Sequence, residues 1–129
     1  MRSQAREAVF KFIFSQLFNS DDEGLFTVLC KELSDDDKQF AQELLAAIDK
    51  EKYFAYIERL AVGYKVNRLF AADKCALLIG MAELNRFPKT PIAVVVDETV
   101  KLAAKFSTEN STNFVNGILA EYIREKQNG

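Results

Sequence analysis

The residues with the clearest binding chemistry lie near the two ends of the chain. Arg2 and Arg6 stand four positions apart with Gln4 between them, and a guanidinium group can hold a phosphate through paired hydrogen bonds. Ser107 to Asn113 leads into a predicted helix start, where unpaired backbone N–H groups can also bind phosphate. Phe114 follows at the edge of an apolar stripe, where its ring could stack on a nucleic-acid base. Two of these features have an ordinary alternative: the arginines could simply be solvated, and Phe114 could belong to the core.

Catalytic chemistry finds little support in the sequence. The 129 residues include no His, the usual base of catalytic triads and a frequent zinc ligand. Asp97 and Glu98 are adjacent and therefore point to different sides of a helix, and no glycine-rich phosphate loop is present. We therefore expect a binding protein with no catalytic residues, no metal site and no cofactor.

The cysteines and the hydropathy pattern indicate the compartment. Cys30 and Cys75 are far apart and form no C-x-x-C pair, so we expect them to be reduced, buried and small hydrophobic residues. No run approaches the ~20 apolar residues that a membrane span requires, and Met1 leads directly into a charged segment. The sequence therefore predicts a cytoplasmic protein with no membrane contact.

The net charge of −2 hides an uneven distribution. Residues 19 to 60 carry a charge of −6, and the rest of the chain carries +4. A partner that approaches away from the acidic block could therefore meet a positive surface.

The first predicted helix has two apolar faces. Ala5, Val9 and Ile13 share one direction, whereas the stripe formed by Phe10, Phe14 and Phe18 lies more than 90° away from it. Either the helix is enclosed within a bundle, or the second stripe, especially Phe14, is an aromatic docking surface for another protein.

Apolar residues recur at steps of three and four along the chain and predict an all-α bundle of about seven helices. Ser3 is a candidate N-cap for the first helix, Ser34 for the third, and Thr90 for the sixth, with Pro91 at its first position. The fifth helix, from about Ala71 to Phe87, is apolar almost all round and is predicted to be the central helix.

Two segments leave a strand open as an alternative. The segment from Ile92 to Phe106 contains four Val, but Val95, Leu102 and Phe106 share one helical face, and Asp97, Lys101 and Lys105 follow the spacing i, i+4. Asn116-Gly117 is typical of a hairpin turn, although six helices leave no sheet for such a hairpin to join. We favour a helix in both places.

Three segments resemble the NusB family of bacterial transcription antitermination factors. These segments are Arg2-Ser3-Gln4-Ala5-Arg6-Glu7-Ala8, Ala93 to Ala103 with its V-V-D-E-T-V-K-L-A run, and Phe114-Val115-Asn116-Gly117-Ile118-Leu119. They occur in the family order and spacing, and the helix from Asp73 to Leu84 resembles the family more loosely.

The resemblance implies a single NusB-like domain, 1–129, made of two packed helical subdomains, about 1–64 and 65–129. It implies a function in transcription antitermination and termination, through binding of single-stranded boxA RNA of ribosomal RNA leaders together with the ribosomal protein NusE. RNA polymerase would be reached indirectly through its elongation complex. Lys105, one position after the family lysine, joins the implied RNA contacts, which are Arg2, Gln4, Arg6, Asn110, Asn113, Phe114 and Asn116. The implied protein-partner contacts are Phe14, within the stripe of Phe10, Phe14 and Phe18, and Asp73.

Three alternatives accompany this expectation. The chain could be a helical adaptor that has kept the fold and lost RNA binding, because Arg2 is the only arginine before Ala5-Arg6-Glu7. NusB-like domains also precede methyltransferase domains, but a chain that ends at Gly129 leaves no room for one. The free protein could also be a homodimer that covers an apolar partner face.

Overall fold

The computed structural model describes residues 2–18, 23–61 and 70–128, with the side chains of Phe18, Glu23 and Glu109 excepted. Within these ranges every regular element is a helix, which confirms the predicted all-α class. The helices are α1 (Arg2–Phe18), α2 (Glu23–Leu29), α3 (Asp35–Ala46), α4 (Lys50–Ala61), α5 (Ala71–Arg86), α6 (Ile92–Phe106) and α7 (Glu109–Asn128).

Helix α5 is the centre of the bundle, as its apolar sequence predicts. From Ala72 to Glu83 only Lys74 is not buried, and α5 packs against α1, α3, α4, α6 and α7. Helix α6 packs between α1 and α7 as well as on α5, so α1, α6 and α7 are successive neighbours on one side of the bundle.

Close packing of α5 on α6 depends on Gly80. A Cβ atom at this position would lie 2.6 Å from Oγ1 of Thr99 and 3.3 Å from Cδ2 of Leu119. The Thr99 hydroxyl donates a hydrogen bond of 2.7 Å to the Val95 carbonyl, which holds its rotamer. Glycine is therefore required here by the approach of the two helices.

The helix starts agree only in part with the predicted caps. Ser34 caps α3, because its hydroxyl accepts a hydrogen bond of 3.2 Å from the Asp37 N–H. The N-cap prediction is wrong for Ser3, which lies inside α1 and donates to Glu98, and for Thr90, because Pro91 itself occupies the N-cap position of α6.

The two segments with strand alternatives are both helical. Helix α6 buries Val95 and Leu102 on the predicted face, and Asn116-Gly117 lies within α7. The Asp97 and Lys101 side chains, at the i, i+4 spacing that favoured a helix, form an ion pair at 3.0 Å.

Three further predictions concern the cysteines, membrane spans and subdomains. Cys30 and Cys75 are buried and form no disulfide, as expected, and burial raises the pKa of the Cys75 thiol to about 12. None of the described helices is long and apolar enough to cross a membrane. The predicted boundary near residue 64 lies outside the described residues, so the division into two subdomains stays a prediction.

Candidate nucleic-acid interface

The Arg6 guanidinium lies inside the protein, so the prediction of a surface arginine is wrong at this position. Arg6 is 4% exposed, and it donates to both carboxylate oxygens of Glu83 at 2.7 and 2.6 Å. Its Nη1 lies 3.6 Å from Glu98, and its guanidinium carbon lies 5.4 Å from the centre of the Phe40 ring. Arg6 thus joins α1 to α5 and α6, which fixes the first turn of α1.

Arg2 and Gln4 remain on the surface, as predicted. The Arg2 guanidinium lies over the Phe40 ring, with 4.4 Å from its carbon to the ring centre, and near Phe87. Stacking on aromatic faces restricts the arginine without using its N–H donors. Arg2 therefore keeps hydrogen-bond donors for a phosphate.

Lys105 and Lys101 are exposed on α6 and are both paired with acids. Lys105 reaches Glu7 of α1 at 2.7 Å, and Lys101 reaches Asp97 at 3.0 Å. The hydrogen bond and the charge of Asp97 raise the pKa of Lys101 above its ordinary value. Both lysines border a depression of about 110 Å³ between α1 and α6, the α1–α6 groove, which is lined by Ser3, Glu7, Glu98, Lys101, Leu102 and Lys105.

The start of α7 presents the predicted amides. Asn110, Asn113 and Asn116 are exposed, whereas Phe114 is half-buried and packs against the core. Asn113 and Asn116 border a larger depression of about 510 Å³ between α6 and α7, the α6–α7 groove. Its lining residues are Ala93, Val96, Asp97, Val100, Thr112, Asn113 and Asn116.

The predicted aromatic stripe is exposed only in part. Phe10 is 2% exposed, so its predicted exposure is wrong: its ring stacks on Phe106 at 4.5 Å and on Phe14 at 5.8 Å. Helix α1 is enclosed here because α6 covers the Phe10 side. Phe14 is half-buried, and the Phe18 side chain lies outside the described residues.

Asp73, the predicted acidic partner contact, is buried in the first turn of α5. Its Oδ2 accepts a hydrogen bond of 3.1 Å from the Ser111 hydroxyl, and its Oδ1 is buried without a hydrogen-bond partner. The Asp73 side chain therefore joins the starts of α5 and α7.

Two residues of this surface were not among the predicted contacts. Asp97 and Lys101 border the α6–α7 and α1–α6 grooves, respectively. Their spacing of four residues was visible in the sequence, but it indicated only a helix. Their contribution to both grooves depends on the positions of α1 and α7.

The fold and this surface define a class of protein. It is an all-helical bundle in which cationic, amide and aromatic side chains lie on neighbouring helices. A family model described as "NusB family" matches residues 3–124 of this chain. The transcription antitermination protein NusB of Natranaerobius thermophilus is 31% identical over 132 residues, which cover 96% of this chain and 95% of that protein. The chain belongs to the NusB family.

Solved structures agree with this assignment. A structure of NusB from T. maritima has a TM-score of 0.78 and 32% identity, over 97% of this chain and 92% of that one. A NusB solved with NusE and double-stranded RNA has a TM-score of 0.79 and 25% identity, over 93% of both chains.

Proposed function

We propose that this chain is an RNA-binding transcription antitermination factor that holds single-stranded, boxA-type RNA together with the ribosomal protein NusE. Membership of the NusB family and the NusB relative that was solved with NusE and double-stranded RNA support RNA and NusE as partners. The preference for a single strand rests on the chemistry of the surface. It acts by binding, with no chemical step of its own, and it works in the cytoplasm and reaches RNA polymerase indirectly.

One structural observation carries the proposal. Arg2, Lys105 and Asn113 come from α1, α6 and α7, and these three helices are successive neighbours in the bundle. Cations and amides separated by more than 100 residues of sequence are thereby carried on neighbouring helices. Cations hold phosphates, and amides read base edges.

Single-stranded RNA suits this surface better than a duplex. The deep, narrow major groove of A-form RNA hides most base edges, whereas unpaired bases can turn outwards and meet aromatic rings and amides. We therefore expect a single strand to bind more tightly than a duplex of the same sequence. Equal affinity for the two forms would contradict the single-strand proposal.

RNA binding should weaken with salt according to the number of phosphates held. Each phosphate contact contributes about −0.7 to the slope of log affinity against log salt, so three or four contacts predict a slope of about −2 to −3. Lys105→Gln should make this slope shallower by about 0.7. Fluorescence anisotropy of a labelled single-stranded RNA, with NusE present, measures both quantities.

Arg124→Gln is the matched control for Lys105→Gln. Arg124 is also an exposed base paired with a glutamate, Glu121 at 2.8 Å, but it lies near the other end of α7. Its replacement should leave the slope unchanged. If the two variants change the slope equally, Lys105 is not a phosphate contact.

Phe114→Ala should weaken RNA binding by about fivefold or more, because stacking of one base on an aromatic ring contributes about 1–3 kcal/mol. The ring is half-buried, so we expect only a modest fall in melting temperature. Phe54→Ala is the control: Phe54 is also half-buried against the core but lies on α4, so this variant should show a similar fall in melting temperature and keep its affinity for RNA. A large loss of stability in Phe114→Ala with unchanged affinity would place Phe114 in the core.

NusE is proposed to contact the end of the bundle where Phe14 and Asp73 lie. Phe14 is half-buried and continues the stack formed by Phe106 and Phe10, and Asp73 lies in the first turn of α5. Asp73 is 3% exposed, so it would act there by holding the starts of α5 and α7 together through Ser111, while the half-buried Phe14 ring supplies the apolar contact.

A second candidate function is a helical adaptor that binds NusE and no RNA. The observation in its favour is that Lys101 and Lys105 are paired with acids and that Arg6 is buried, which reduces the positive charge available to phosphates. Retained NusE binding without any measurable affinity for single-stranded RNA would favour the adaptor.

A further inference from the structure

We propose that the α6–α7 groove binds one unpaired base of the RNA and that Asp97 selects a base with an exocyclic amino group. The inference rests on the RNA binding proposed above and assigns a recognition site within it.

The groove has the size and the floor that a base requires. Its volume of about 510 Å³ lies within the range of about 300–1,000 Å³ that is typical of ligand pockets. Ala93, Val96 and Val100 supply an aliphatic surface along α6. The face of a base is apolar and can cover such a surface.

The polar residues of the groove suit the edge of a base. Asn113 and Asn116 each offer a carboxamide, which can both donate and accept hydrogen bonds, and both residues are exposed. Amide side chains are regular readers of base edges. Among the described residues that line the groove, none is Lys or Arg, so its chemistry favours a base over a phosphate.

Asp97 requires a hydrogen-bond donor on the base. An ionised carboxylate only accepts hydrogen bonds, so the part of the base that faces Asp97 must carry N–H groups. Cytosine, adenine and guanine carry exocyclic amino groups, whereas uracil offers only its ring N3–H, which lies between two carbonyl oxygens that an ionised carboxylate repels. Asp97 should therefore disfavour uracil at this position.

Helix α6 separates the α6–α7 groove from the cations Lys101 and Lys105. Lys101 and Lys105 border the α1–α6 groove on the other side of the helix, and Lys101 holds Asp97 at 3.0 Å. A single strand that crosses α6 can place its phosphates near the lysines and one base in the α6–α7 groove. The ion pair between Lys101 and Asp97 orients the carboxylate at this crossing.

The test removes one amino group at a time from a short, single-stranded, boxA-type RNA. Each cytosine is replaced by uracil, each guanine by inosine and each adenine by purine, and affinity is measured by anisotropy with NusE present. For wild type we expect one position at which loss of the amino group weakens binding about fivefold or more. In Asp97→Ala the ratio of the two affinities at that position should fall close to one. The ratio is the correct readout because release of Lys101 changes the affinity for both RNAs alike.

Glu58→Ala is the matched control, since it removes an exposed acid from α4, away from both grooves. It should leave the ratio at its wild-type value. An unchanged ratio in Asp97→Ala would overturn the base assignment while leaving RNA binding intact. If Asp97→Ala weakens NusE binding and leaves the ratio unchanged, the groove is a protein contact and the assignment fails. If wild type binds no RNA, the proposed function itself fails.

Discussion

Arg6→Ala is expected to destabilise the fold by about 3–5 kcal/mol, because it leaves the Glu83 carboxylate buried without its cation. Glu83 is fully buried in α5, and Arg6 supplies both of the hydrogen bonds between these two side chains. Domains of this kind are stable by about 5–15 kcal/mol, so the loss is a large share of the total. Chemical denaturation followed by circular dichroism measures it.

The same arginine should affect RNA binding only through the position of α1. Arg6 holds the turn of α1 that carries Arg2 and Gln4, but its own guanidinium is occupied by Glu83 and Glu98. We therefore interpret Arg6 as a positioning residue. Its removal should lower affinity without changing the salt slope of the molecules that remain folded.

The double variant Arg6→Met and Glu83→Met separates the two roles. Replacing both members of a buried pair with apolar residues of similar size is often neutral or stabilising, so this variant should stay folded. If Arg6 only positions α1, the salt slope of the double variant matches wild type. A slope that is shallower by about 0.7 would instead make Arg6 a phosphate contact.

The architecture of the bundle could be predicted because helical periodicity is a local property of the sequence. The face shared by Val95 and Leu102 predicted α6, and the uncharged run after Cys75 predicted the buried central helix. The N-caps were harder to predict, because an N-cap depends on the backbone conformation of a single residue. Ser34 is the N-cap of α3, as predicted. Ser3 instead lies inside α1, where its hydroxyl donates a hydrogen bond to Glu98 of α6.

The candidate site could be predicted less well, because exposure depends on which helices cover each face. Arg6 is buried by its pairing with Glu83, 77 positions away, and the sequence contains no signal that links the two. Phe10 is likewise covered by Phe106, which belongs to α6. Asn113 and Asn116 were predicted correctly as surface residues, but the groove that they share with Asp97 exists only after α6 and α7 pack together.

Gly80→Ala is expected to destabilise the protein by about 1–2 kcal/mol, although alanine is the better helix former. In the interior of a helix, alanine is more stabilising than glycine by about 0.5–1 kcal/mol. At this position its methyl group would lie 2.6 Å from Oγ1 and 3.0 Å from Cγ2 of Thr99, and overpacking of a core costs about 1–3 kcal/mol. Thr99 is buried and its rotamer is held by the bond to Val95, so the clash must separate α5 from α6.

A double-mutant cycle tests whether Thr99 is the cause. Thr99→Ala removes both atoms that the new methyl group would approach most closely, so Gly80→Ala should be neutral or stabilising in that background. Leu119 Cδ2, at 3.3 Å, would be a tight contact, but it is the end of a flexible side chain that can give by a few tenths of an ångström. If Gly80→Ala costs the same in both backgrounds, another contact limits the approach of the helices. Because α6 carries Asp97, Lys101 and Lys105, Gly80→Ala should also weaken RNA binding, and Thr99→Ala should restore it by returning α6 to its place on α5.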